Sequence, residues 1–229
     1  MQKTTDAIVL AHGAFHGPWC WEPTTARLEA EGVRCVAVDL DRGGIERDGT
    51  ALQGVVDTLV ASGARVHAIG HSLGCYAVAA LAPESLTTAT LLAGPIADRP
   101  DGPSVIEMTT PGFVQILKPQ DDGRSFLSRE DARAVFYHRC LPEEADWALD
   151  RLRPTFVYGG ATDRNPGFWQ DLPVTYVVCT DDRAVRPDYQ QAAAALLPFS
   201  ATIDADHSPM LGAPEALAPI VLEAMSRAD

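Results

Sequence analysis

The sequence lacks a long apolar run near its start, basic residues in number, and paired cysteine spacings, and each absence removes a class of protein. The longest apolar stretch near the start, Ala7–Ala11, is too short for a transmembrane helix or a signal-peptide core. Lys and Arg number 18 against 31 Asp and Glu, a net charge of −13. That sign repels phosphate backbones and anionic lipid, so neither nucleic acid nor a membrane surface is an expected partner. The five cysteines are odd in number, form no CxxC, and include two (Cys35, Cys179) in strand-like runs. Reduced, packed thiols in a cytoplasmic protein fit that usage. What remains is an ordinary globular chain, 46% apolar and 21% charged over 229 residues. At roughly 150 residues per domain this is one domain, 1–229. A chain of this size buries about 70% of its unfolded surface, so it needs no metal or disulfide to fold.

Strand-like runs recur at Ala7–His12, Val33–Leu40, Arg65–Gly70, Thr87–Ala93, Val174–Cys179 and Ala201–Ala205. Several are apolar at consecutive positions, as strands buried on both faces of a parallel sheet must be. Helical patterns separate them: Thr24–Glu31, Thr50–Ser62, Leu73–Ala82, Pro187–Leu197 and Pro214–Arg227. Such alternation predicts an α/β fold, a compact, mainly parallel sheet of about six strands with helices on both faces.

The alternation breaks between Pro95 and Leu172, a stretch with eight prolines. It opens loop-like (Ala97–Pro111). A helix then begins near Ser128, where Ser128 and Asp131 resemble a capping box, and a second covers Glu143–Arg151. An insertion of this length, 95–172, is expected to be a small helical cap over the carboxyl ends of the strands.

Gly70-His71-Ser72-Leu73-Gly74 joins a predicted strand to a predicted helix. A serine on so tight a turn projects its hydroxyl from the sheet edge, and the helix N-terminus behind it favours developing negative charge. A hydroxyl becomes nucleophilic once a base takes its proton. Of six histidines, His207 comes just after the last predicted strand and just before the last helix, at that same edge. His71 must point elsewhere, His67 lies within a strand and His138 within a cap helix. His12 and His16 are four apart but sit in a glycine-rich loop without a third ligand, so no metal site is expected. The base needs an acid, and Asp181 and Asp182 both follow the next-to-last strand at the correct edge. Asp204 and Asp206 lie too near His207 along the chain to reach round to its ring. The chain order Ser, Asp, His is that of an α/β-hydrolase. Backbone amides of Leu73 and of Ala14, in the loop after the first strand, can complete an oxyanion hole.

HGAFHGPWCW, VDLDRGG, GHSLG, CTDDRAVRP and DADHSPML together resemble the small α/β-hydrolases of the plant methylesterase and hydroxynitrile lyase family, nearly end to end. The resemblance implies Ser72 as nucleophile, His207 as base, Asp182 as acid, and Ala14 and Leu73 as oxyanion donors, with no cofactor. It departs from the lyase branch, which carries a threonine where this chain has Gly13 and a lysine where it has Ser208. Hydrolysis of a small alkyl ester of an apolar or aromatic acid through an acyl-serine is therefore the expected reaction, on a small-molecule substrate. A cofactor-free elimination or C–C cleavage using the same residues is the alternative, and a binding module with vestigial turnover a further one. Phe15, His16, Trp19, Phe113, Phe126, Phe136 and Met210 are candidates for the pocket wall.

Overall fold

Strand β1 (Asp6–Ala11) sends Ala7, Val9 and Ala11 into one apolar layer and Ile8 and Leu10 into another. A strand with no polar face must lie inside a sheet covered on both sides. The computed structural model, which describes residues 5–40, 43–96, 104–157, 170 and 172–228, places it there. The other strands are β2 (Arg34–Val38), β3 (Arg65–His71), β4 (Thr88–Leu92), β5 (Lys118–Pro119), β6 (Ser125–Phe126), β7 (Val174–Cys179) and β8 (Phe199–Ile203). Six form one parallel sheet in the order β2-β1-β3-β4-β7-β8, and β5 and β6 pair as a separate antiparallel ribbon.

The helices are α1 (Glu22–Ala30), α2 (Ile45–Ala61), α3 (Gly74–Ala79), α4 (Val105–Met108), α5 (Phe113–Ile116), α6 (Arg129–Phe136), α7 (Pro142–Leu149), α8 (Pro187–Ala194), α9 (Pro209–Gly212) and α10 (Pro214–Met225). Residues of α2, α3 and α8 fill one apolar layer; α1, α10 and the insertion between β4 and β7 fill the other. The strand order reverses direction between β1 and β3. A crevice opens outside the carboxyl ends at such a reversal.

Several boundaries differ from the sequence reading. Helix α2 starts at Ile45, five residues before Thr50. Gly49, which reads as a breaker, sits inside the helix because its missing Cβ would lie 2.7 Å from Cβ of Ala80. The last strand is Phe199–Ile203 rather than Ala201–Ala205. Ser128 does cap α6, its hydroxyl accepting from the amide of Asp131 at 3.1 Å, but the Asp131 carboxylate meets that hydroxyl instead of the cap's own amide. Helix α6 ends at Phe136, leaving His138 in the turn beyond it. Residues 97–103 of the loop-like opening lie outside the described residues. All five cysteines are unpaired. Among the described residues no helix is long and apolar enough to cross a membrane.

Candidate active site

Ser72 stands at the carboxyl end of β3 with φ of +51°, in the left-handed region that costs any residue bearing a Cβ. Its amide donates to the carbonyl of Leu92 at 2.9 Å, and its carbonyl accepts from Cys75 at 3.0 Å. The flanking glycines permit the turn sterically. A Cβ on Gly70 would lie 2.7 Å from Cα of Cys75, and one on Gly74 2.5 Å from the carbonyl oxygen of Ala11.

His207, buried in the loop after β8, donates from Nδ1 to Oδ2 of Asp182 across 2.7 Å. Of the two neighbouring aspartates, Asp182 is the one that meets His207. Asp181 is half exposed and faces His138, 3.2 Å away. Asp182 is wholly satisfied. Its Oδ1 accepts from the amides of Ala184 (2.7 Å) and Val185 (2.9 Å), and its Oδ2 also accepts from the side-chain amide of Gln190 at 2.8 Å. Gln190, fully buried in α8, receives the amide of Cys179 on its own Oε1 at 2.9 Å. With Nδ1 so committed, the Nε2 lone pair of His207 is the one available to a proton.

Ser72 and His207 line one cavity of about 60 Å³. Its walls are Phe15, Tyr76, Met108, Phe113, Phe136, Val157 and Val185, with Ala14, Leu73, Pro95, Thr109 and Ala184. His207 is the sole ionisable imidazole, carboxylate or ammonium among these described residues. Ala14 and Leu73 line the same cavity, and their amides donate to no acceptor among the described residues.

Of the seven wall candidates, Phe15, Phe113 and Phe136 face this cavity. The other four lie off it. His16 is buried, stacked on Trp19 with ring centroids 5.5 Å apart, and Trp19 in turn meets Trp147 edge-on. Phe126 is on the exposed β5–β6 ribbon, and Met210 is wholly buried in the core. Tyr76, Met108, Thr109, Val157 and Val185 were not legible as wall residues, because they arrive from four separate segments.

Three of the other histidines, His12, His16 and His71, make buried hydrogen bonds to neighbouring groups. His12 donates from Nδ1 to the carbonyl of Gly13 (2.9 Å) and accepts the amide of Leu40 on Nε2 (3.0 Å). His16 donates from Nδ1 to the carbonyl of Ala14 (2.7 Å) and accepts from the Tyr137 hydroxyl (2.7 Å). Burial holds both neutral, lowering His12 and pushing His16 down to about 3. His71 donates from Nε2 to the backbone carbonyl of His207 at 2.7 Å, and burial lowers it well below the ordinary imidazole range. Asp206 accepts the amides of Ser208 and Arg139, and Asp204 pairs with the Arg139 side chain. Among the described residues no three His, Cys, Asp or Glu side chains gather as metal ligands would.

A strained serine and a carboxylate-held imidazole on one cavity, at the reversal of a parallel sheet, are features found in many hydrolases. The chain belongs to the alpha/beta hydrolase family, whose model matches residues 8–220. It is 25% identical to Methylesterase 2 of Arabidopsis thaliana over 94% of each chain. Norfluorocurarine synthase 1 of Strychnos nux-vomica is also 25% identical, over 94% of this chain and 93% of that one. The crystal structure of a methylesterase from Arabidopsis superposes with a TM-score of 0.77 at 23% identity, covering 97% of this chain and 99% of that one.

Proposed function

We propose that the protein hydrolyses a carboxylic ester through an acyl-serine, with Ser72 as nucleophile, His207 as base and Asp182 as the acid that orients it. The Asp182–His207 hydrogen bond, on the cavity that also holds Ser72, carries this reading. His207 Nε2 takes the Ser72 proton as Oγ attacks the ester carbon. The amides of Ala14 and Leu73 receive the oxyanion, and His207 returns the proton to the departing alcohol. Water then repeats the sequence, releasing the acid and restoring Ser72. The methylesterase kinship supports the reaction class.

The substrate is a small molecule, a small alkyl ester of an apolar or aromatic acid. Apolar walls without a cationic side chain leave a charged acyl group unpaired, at a cost of several kcal/mol. The narrow cavity favours a slender acyl group, and the insertion between β4 and β7, which supplies Phe113 and Phe136, acts as its cap. The unpaired thiols fit a reducing, cytoplasmic setting. Hydrolysis rather than elimination or C–C cleavage is favoured at position 13, where a Cβ would lie 2.9 Å from both His71 Nδ1 and Ser72 Cβ, so the lyase branch's threonine has no room.

Ser72→Ala is expected to lower kcat on a short-chain p-nitrophenyl ester by at least about a thousandfold. Turnover in ¹⁸O water should place one label in the acid product. Undiminished activity of the variant, or an unlabelled product, refutes the assignment.

A further inference from the structure

Residues 153–155 of the insertion run beside the loop after β1 and grip one residue of it by both backbone groups. The Phe15 amide donates to the Thr155 hydroxyl at 2.9 Å, and the Arg153 amide donates to the Phe15 carbonyl at 3.0 Å. Phe15 needs such a grip. Its φ is +67°, and a bulky residue holds that conformation only where its surroundings overdetermine it.

The peptide unit joining Ala14 to Phe15 is pinned at both ends, its N–H by Thr155 and its C=O by His16 Nδ1 at 2.7 Å. The preceding unit, which bears the Ala14 N–H, is held at its C=O by His12 Nδ1 at 2.9 Å. Thr155 is itself fixed. It is buried, and its backbone exchanges two hydrogen bonds with Ser125 at 2.9 and 3.0 Å. Its hydroxyl proton is directed at the Arg153 carbonyl, 3.4 Å away, which leaves an oxygen lone pair for the Phe15 amide.

We propose that Thr155 is a positioning residue for catalysis: from the insertion, its hydroxyl sets the orientation of the Ala14 amide toward the oxyanion. The inference rests on the reading of Ala14 as an oxyanion donor. Thr155 touches no reacting atom and acts through the loop. Because the oxyanion forms only as the transition state is approached, loosening that amide lowers kcat and leaves KM nearly unchanged.

The test is steady-state kinetics on a short-chain p-nitrophenyl ester with Thr155→Val, Thr155→Ser and, beside them, Ser72→Ala. Thr155→Val keeps the side-chain shape but loses the acceptor. Its kcat is expected to fall between about tenfold and a hundredfold, with KM and the pH midpoint of kcat/KM unmoved. Thr155→Ser keeps the acceptor and should stay within about threefold of the parent. Where the valine variant does not fold, Thr155→Ala is read in the same way. A lowered melting temperature with unchanged kcat marks a purely structural threonine and overturns the inference, as does a serine variant as impaired as the valine one. Activity surviving in Ser72→Ala overturns the reading of the site itself, and this inference with it; a dead Ser72→Ala beside a fully active Thr155→Val overturns the inference alone.

Discussion

His71 Nε2 donates to the backbone carbonyl of His207 across 2.7 Å, tying together two residues 136 positions apart in the chain. One of them precedes Ser72, so the bond fixes the loop that bears His207 against the turn that bears Ser72. Replacing His71 with leucine leaves a buried carbonyl unpaired, at about 1–3 kcal/mol of stability. We expect kcat to fall about tenfold or more as the imidazole loses registry with Ser72. Glutamine, whose amide can donate in its place, should recover part of both. Urea unfolding and ester kinetics on the two variants measure the difference.

Gln190 carries a comparable burden behind Asp182. Leucine at 190 removes one donor from the carboxylate and orphans the amide of Cys179. Stability is expected to drop by about 2 kcal/mol, with kcat falling more than KM rises. Glutamate at 190, which sets a second carboxylate against Asp182, should be worse than leucine in both respects.

Stability should decline in mild acid. An unfolded histidine titrates near 6.5, whereas folded His16 is pushed down to about 3, with His12 and His71 lowered in the same direction. The unfolded chain therefore takes up protons that the folded chain refuses. The stability contributed by neutral His16 is complete above about pH 6.5 and is lost progressively as pH falls toward 3. Each such histidine adds a slope of about 1.4 kcal/mol per pH unit within its window. Chemical denaturation at pH 7, 6 and 5 should show it, and His16→Gln should shallow that slope by about one proton even as it lowers stability at pH 7.

Alanine at position 13 sets a methyl group 2.9 Å from both His71 Nδ1 and Ser72 Cβ. Overpacking of this kind costs about 1–3 kcal/mol. Because the displaced atoms belong to the turn that bears Ser72, kcat should fall with the melting temperature. A Gly13→Ala protein with parental kinetics contradicts the tight packing described here.

The strands of the central sheet were legible because burial on both faces leaves mostly apolar and β-branched runs, as in β1, β4 and β7. Edge strand β8 was misplaced by two residues because its burial alternates and its apolar signal is weak. Helix α2 was shortened at its start, where the packing of Gly49 against Ala80 after α3 is a tertiary fact. Ser72, Asp182 and His207 were legible as candidates since parallel topology brings every strand's carboxyl end to one edge. That topology left Asp181 and Asp182 equivalent, and side-chain hydrogen bonds separated them. Gln190 and Thr155 left no signal, because a buried amide in a helix and a threonine in a loop acquire meaning only from partners distant in space. The wall candidates divided for the same reason. Aromatic side chains at Trp19 and Phe126 pack elsewhere, whereas smaller Val157 and Val185 reach the cavity.

The segment between β4 and β7 shares hydrogen bonds with both loops it overlies, through Thr155 and Arg153 to Phe15 and through Arg139 to Asp206. It is thus a keystone: swinging these residues wholesale away from the sheet breaks the hydrogen bonds that hold the loops bearing Phe15 and His207.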